Sequence, residues 1–301
     1  MKFELIESIA GSKIIAEKDD YITNFSKFDL QSRLETFEEV SKEDLLTFLS
    51  QQTLDWTQNE EDRIEKIFDE IENAYEQYQK FLPDEILLIK TTGLDEGDAA
   101  YTRKSCIYIP VSMIRWSYNK LKELIAHELF HIVSTCYPKF RNNLYAKLGF
   151  TPCPELRMPE EYQELYVTNP DTVKKNCYVE FHDPHGDQRK AVPFLYSEQP
   201  YEGGYFFRYF RFTFLVIHLS DNICLPVYEN KHPKFIDAPQ ILYDLSEEID
   251  PYDNQHRLHP EEILAYYWSL LVFPETELDY NKRNFLKKIR ECLKNDRNNI
   301  F

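Results

Sequence analysis

The feature that most constrains this chain is a pair of histidines, four residues apart, inside a segment with helical patterning. His127-Glu128-Leu129-Phe130-His131 lies within residues 118–136, where apolar residues recur every three or four positions. Residues four apart share one face of a helix, so both imidazoles can bind one metal ion while Glu128 lies beside them. A helix with two hydrogen-bonded core histidines and a surface glutamate stays open as the alternative.

Composition and charge limit the classes of protein to which the chain can belong. Its 301 residues are 43% apolar, which supplies a packed core and is unlike a disordered or fibrous chain. The formal charge of −17 would repel a phosphate backbone over most of the surface, so we predict no nucleic-acid partner. Glu4 and Glu7 interrupt the apolar run of a secretory signal, and no later run approaches the roughly 20 apolar residues of a membrane span.

The cysteines indicate the compartment. None of the six is paired in C-x-x-C spacing, and a chain of this length does not need disulfides for stability. We therefore expect reduced thiols, a cytoplasmic location and no membrane partner. Delivery by a specialised secretion system and the oligomeric state stay open.

The first 82 residues are predicted to form a mostly helical region. Ser41-Lys42-Glu43-Asp44 and Thr57-Gln58-Asn59-Glu60 have the form of capping boxes, and each precedes apolar residues at helical spacing. The second box begins a long amphipathic pattern that ends before Pro83.

From residue 83 onward, short strands and helices alternate. The aromatic run at 205–219 fits either a strand or a buried helix, because its length favours a helix and its β-branched and aromatic content favours a strand. The other predicted elements are strands at 85–90 and 106–110, helices at 118–136 and 142–148, a hairpin of 178–182 with 191–196, and helices from about Pro260 and about Asp279.

A catalytic zinc site has three protein ligands and an open position for water, so the two histidines require a third ligand. The motif at 127–131 resembles the signature of the zincin metallopeptidases, and this resemblance implies Zn²⁺ as the cofactor. A metzincin would continue with Gly at position 134 and His at position 137. This chain has Ser134 and Tyr137, which excludes that branch.

The gluzincin branch takes its third ligand from a glutamate in a later helix, and His259-Pro260-Glu261-Glu262-Ile263-Leu264-Ala265-Tyr266 looks like that segment. The resemblance implies Glu262 as the third metal ligand. Glu261 stays open as an alternative ligand, as does a residue elsewhere. The Asp that gluzincins carry after the Ala is Tyr266 here, so another group must orient the metal-bound histidine.

The order of elements between about residues 83 and 275 looks like bacterial zincin-like proteins of undefined substrate. The resemblance implies an α+β zincin-like fold with a small mixed sheet beside the H-E-x-x-H helix. We predict an N-terminal helical region at 1–82 and a zincin-like metal-binding domain at 83–301. That domain would carry a β-rich insertion at about 171–245 and C-terminal helices.

The implied activity is peptide or amide hydrolysis by a metal-activated water, with Glu128 as the base. The substrate would be a peptide or protein. By the same resemblance, an extended substrate pairs with a strand before the metal-site helix, either 106–110 or the segment just before it. The candidates for the oxyanion donor are the tyrosines and histidines around the third-ligand segment, none of which we assign: Tyr252, His256, His259, Tyr266 and Tyr267.

Two other functions compete with a zinc peptidase. The first is a catalytically inactive protein of the same fold that binds zinc and acts as an interaction module. The second is a scaffold without metal. The remaining histidines of the aromatic and hairpin segments, His182, His185 and His218, are not spaced as a zinc pair and are expected to be turn or core residues.

Overall fold

The computed structural model describes residues 2–183, 185–237 and 259–295. Its contacts divide the chain into two compact units, of which the first contains residues 1–19, 40–141 and 264–301 and the second residues 20–39 and 142–263. Two helices, Pro138–Lys147 and Pro260–Ser269, continue across a boundary between these ranges. The domain boundary predicted after residue 82 stays a prediction.

The first unit is built on a five-stranded mixed sheet. Its strands are β1 (Lys2–Ile6), β2 (Thr53–Leu54), β3 (Glu85–Thr91), β4 (Tyr101–Arg103) and β5 (Cys106–Pro110). The order is β1-β3-β5-β4, with β1, β3 and β5 parallel, β4 antiparallel to β5, and β2 paired with the end of β3. The predicted strands at 85–90 and 106–110 are therefore confirmed, whereas β1 and β2 lie in the region predicted to be mostly helical.

Helices form the remainder of the first unit, and their starts follow the predicted caps. Ser41 accepts a hydrogen bond from the Asp44 N–H, and the Thr57 N–H donates to Glu60 Oε2 at 2.9 Å. Both boxes therefore satisfy N–H groups that a helix start leaves without intrahelical partners. The α-helices that begin in this unit are α1 (Ser8–Ile15), α4 (Lys42–Leu49), α5 (Gln58–Ala74), α6 (Val111–Ile114), α7 (Tyr118–Cys136), α8 (Pro138–Lys147) and α10 (Tyr280–Asn295).

The second unit is built on a six-stranded antiparallel sheet. Its strands are β6 (Phe150–Pro152), β7 (Cys177–His182), β8 (Gln188–Ser197), β9 (Phe210–Ser220), β10 (Ile223–Pro226) and β13 (Phe235–Ile236), and a small separate pair consists of β11 (Tyr228–Glu229) and β12 (His232–Pro233). The order in the larger sheet is β10-β9-β8-β7-β6, and β13 pairs with β9. The predicted hairpin is confirmed, since Val179 pairs with Ala191.

The aromatic run of the second unit is a strand, preceded by a short 3-10 turn at Phe206–Tyr209. Pairing with β8 on one side and with β10 and β13 on the other decides this conformation, because the sheet supplies hydrogen bonds that the run cannot make alone. Helices α2 (Asp20–Thr23) and α3 (Lys27–Arg33) belong to the same unit, where the Thr168 hydroxyl donates to Asp29 Oδ2 at 2.7 Å.

The last two predicted helices are present as α9 (Pro260–Ser269) and α10. The structure contains helices and separate sheets, which agrees with the predicted α+β class. The zincin-like arrangement of these elements stays a prediction. The part of the predicted insertion beyond residue 237 lies outside the described residues. Within the described part of the chain, no helix combines the length and apolarity needed to cross a membrane.

Candidate metal centre

Helix α7 carries the two histidines because its apolar residues fix which face is turned to the core. Leu121, Ile125, Leu129 and Ile132 are fully buried. At the start of the helix, Lys122 Nζ donates to Glu70 Oε2 of α5 at 2.9 Å. The helix is thereby held on the sheet by burial and at its first turns by an ion pair, so its remaining face has one fixed orientation.

That remaining face presents the residues of the predicted metal motif. The rings of His127 and His131 have centroids 4.9 Å apart and planes at 77° to each other, as expected for positions one helical turn apart. His131 is 1% exposed and Glu128 is 3% exposed, whereas His127 is half-buried. A metal ion bound by both rings would therefore be accessible mainly from the side of His127.

Helix α9 carries Glu262, the residue predicted as the third ligand, in its first turn. His127, His131 and Glu262 form one of the groups of residues whose side chains could hold a metal ion. Two imidazole nitrogens and one carboxylate oxygen are a donor set that zinc prefers, at about 2.0–2.2 Å from each atom. The residues present therefore fit a zinc ion with three protein ligands. Their assignment as ligands, and that of Glu128 as the base, stays a prediction.

Glu261, the alternative ligand, has both carboxylate oxygens in other contacts. Lys175 Nζ donates to Oε1 at 2.6 Å, and the Tyr145 hydroxyl donates to Oε2 at 2.5 Å. The Glu261 side chain is fully buried and that of Lys175 is 4% exposed. These contacts make Glu261 a poor candidate for a metal ligand. The pattern of the sequence held no signal for Lys175 or Tyr145.

The other end of α9 is held by aromatic packing. Trp268 is fully buried, and its ring centroid lies 5.1 Å from that of Tyr75 and 5.7 Å from that of Phe130, the residue before His131. The Tyr75 hydroxyl donates to the Trp268 carbonyl at 3.0 Å. Ala265 is fully buried between these two ends.

Three of the five candidate oxyanion donors lie in described residues. Tyr267 is fully buried and packs on Phe285 with centroids 4.0 Å apart, so it is a core residue. Burial raises the pKa of Tyr266, with Lys282 next to its hydroxyl opposing that rise. His259 Nδ1 accepts the Glu261 N–H at 3.1 Å and so acts as a helix cap. Tyr252 and His256 lie outside the described residues.

Of the two segments predicted to pair with substrate, only one is an outer strand. Strand β5 pairs with β3 on one side and β4 on the other, so it lies inside the sheet. Strand β4, the segment just before it, is the last in the order of the sheet.

A comparison of the sequence with protein families found a match for part of the chain. A family described as "Putative zinc dependent peptidase (DUF5700)" matches residues 5–147, just under half of the chain, which includes the H-E-x-x-H helix but not Glu262. The description supports the predicted cofactor, Zn²⁺, and a similarity to zinc-dependent peptidases. Comparison with curated proteins and with solved structures found no match.

Proposed function

We propose that this protein is a zinc-dependent metallopeptidase of the gluzincin type. His127, His131 and Glu262 hold the zinc ion, and Glu128 is the general base. The observation that carries the proposal is the pair of imidazoles on one face of α7, with ring centroids 4.9 Å apart and the buried Glu128 beside them. The match of residues 5–147 to the family described as "Putative zinc dependent peptidase (DUF5700)" also supports it.

Zinc held by His127, His131 and Glu262 would supply a water of lowered pKa and would polarise the carbonyl of the substrate. Glu128 lies next to the first histidine of the motif and is not one of the three proposed ligands, so we assign its carboxylate the role of accepting the proton of the attacking water. The same group then donates the proton to the leaving amine. Its burial at 3% exposure keeps competing bulk water away from the carboxylate.

The test is Glu128→Gln, which keeps the size of the side chain and removes the base. Zinc content measured on the purified protein should stay at one ion per chain, while cleavage of a fluorescently labelled, unfolded casein should fall by about 10²- to 10⁴-fold. Glu123→Gln on the same helix is the matched control and should cleave as the wild type does.

Two results would contradict the proposal. A wild-type chain that binds no zinc would remove the metal site. A wild-type chain that binds zinc through these residues but cleaves neither casein nor a mixed peptide library would favour the alternative, a zinc-binding interaction module.

A further inference from the structure

Helix α9 begins with two consecutive glutamates, of which only one can face a given ligand. Neighbouring positions in a helix are about 100° apart, so a rotation of the first turn would exchange Glu262 for Glu261. The first turn is also the part of a helix that its own hydrogen bonds hold least well. Something outside the helix must therefore choose between the two carboxylates.

The contacts of Glu261 make that choice. Its Oε1 accepts from Lys175 at 2.6 Å and its Oε2 from Tyr145 at 2.5 Å, while the N–H of the same residue donates to His259 Nδ1 at 3.1 Å. These contacts come from three different places in the chain and fix the residue at its side chain and its backbone. Glu261 thus cannot rotate towards the direction of Glu262 without breaking a buried ion pair.

We infer that Lys175, Tyr145 and Glu261 form a positioning cluster that sets Glu262, rather than Glu261, as the zinc ligand. The inference rests on the proposed function. Lys175 also neutralises the buried charge of Glu261, so the cluster adds no uncompensated negative charge next to the metal ligand. A buried ion pair adds little net stability because both ions lose their hydration, so we assign this pair a role in specifying one arrangement.

Lys175 could also bind substrate, and the experiment must distinguish that role from the positioning role. It borders a cavity of about 450 Å³ in the second unit, together with His259 and apolar residues such as Leu156, Met158 and Phe212. A lysine on a cavity wall could bind substrate directly. However, the Lys175 side chain is 4% exposed and its amine donates to Glu261, which favours the positioning role.

The decisive measurement is the zinc dissociation constant of the full chain, obtained by competition with a chromogenic chelator. Tyr145→Phe deletes one oxygen, and the double variant Lys175→Met with Glu261→Gln removes both charges at nearly constant volume. Both should weaken zinc binding about 10- to 100-fold, as expected for residues that orient a metal ligand. Glu262→Gln should weaken it further.

The matched control is Lys174→Met, next to Lys175 in sequence. Its amine pairs with Asp20 at 2.5 Å, but both side chains are more than half exposed. This variant should bind zinc as the wild type does. Circular dichroism of each zinc-free variant checks that the chain is folded, and if the double variant fails to fold, Tyr145→Phe carries the test.

Three outcomes distinguish a failure of the positioning inference from a failure of the proposed metal site. If Glu262→Gln weakens zinc binding while Tyr145→Phe and the folded double variant do not, the positioning inference is wrong and the metal site survives. If the double variant raises KM for casein and leaves zinc binding unchanged, Lys175 is a substrate-binding residue and the inference is again wrong. If Glu262→Gln itself leaves zinc binding unchanged, the proposed metal site fails.

Discussion

The two ends of helix α9 are held in opposite ways. At its first turn, Glu261 is fixed by a buried lysine and a tyrosine hydroxyl. At its last turn, Trp268 is fixed by the rings of Tyr75 and Phe130. The buried rings stabilise their end of the helix through the apolar area that they bury, whereas hydrogen bonds to a charged carboxylate are directional and fix the orientation of that group.

One end of the helix contributes mainly to stability and the other mainly to the geometry of the site. The apolar end contributes buried area and so should dominate the free energy of unfolding. The charged end pays for desolvation of two ions and gains little net stability, but it defines the direction of the neighbouring carboxylate, Glu262. Substitutions at the two ends should therefore differ in both size and kind.

The largest expected effect is that of Trp268→Ala. Removal of a fully buried indole leaves a cavity against Tyr75 and Phe130, so the free energy of unfolding should fall by about 3–5 kcal/mol. Urea denaturation followed by circular dichroism measures it. A loss below about 1 kcal/mol would mean that the aromatic end does not anchor the helix.

The single variant Lys175→Met should come next, at about 3 kcal/mol, because it leaves the carboxylate of Glu261 buried without its cation. Addition of Glu261→Gln should restore most of this loss, since the uncompensated charge is then gone. The same denaturation series measures both variants, with Lys174→Met as the surface control. Equal losses in the single and double variants would show that packing, not charge, holds this end.

Asp95 is a buried carboxylate of the first unit. It differs from Glu261 because a neutral hydroxyl, and not a lysine, donates to it. Asp95 is 1% exposed and accepts from the Tyr101 hydroxyl at 3.0 Å. Burial raises its pKa from 3.8 to about 6, against the opposing effect of hydrogen bonds from Thr91 and Tyr101. The native state therefore holds this proton more tightly than the unfolded chain does between about pH 4 and pH 6.

The contribution of Asp95 to stability is therefore present at low pH and is lost as the pH rises through about 6. Relative to Asp95→Asn, the wild type should lose on the order of 2 kcal/mol between pH 4 and pH 7. Urea denaturation of both proteins across this range gives the difference directly. The other titratable groups are the same in both proteins, so their contributions to the pH dependence cancel. A difference that does not vary with pH would contradict the assignment.

The smallest expected effects are those of two matched hydroxyl deletions. Tyr75→Phe removes a hydrogen bond to a backbone carbonyl, and Tyr145→Phe removes one to a charged carboxylate. Hydrogen bonds to charged groups contribute more, so we expect losses of about 1 and about 2 kcal/mol respectively. Thermal unfolding of the two variants measures them. The reverse order would remove the distinction between the two ends of α9.

Local signals in the sequence predicted much of the fold. The capping boxes at Ser41 and Thr57 begin helices where expected, and Gly149 follows α8 with a φ of +83° that few other residues adopt. Strand β1 was missed because only its parallel pairing with β3 makes a strand of so short a segment. The run at 205–219 was ambiguous for the same reason, since its partners are far away in sequence.

The metal site likewise combines features that local sequence predicts with features that depend on partners far away in the chain. By itself, the sequence determined that His127 and His131 share a helix face with Glu128 beside them, because a helical repeat fixes those directions without any partner. The tertiary structure decided which of the two glutamates at the start of α9 is engaged elsewhere. That choice depends on Lys175 and Tyr145, which reach Glu261 only after the chain has folded, and no periodicity records such a contact.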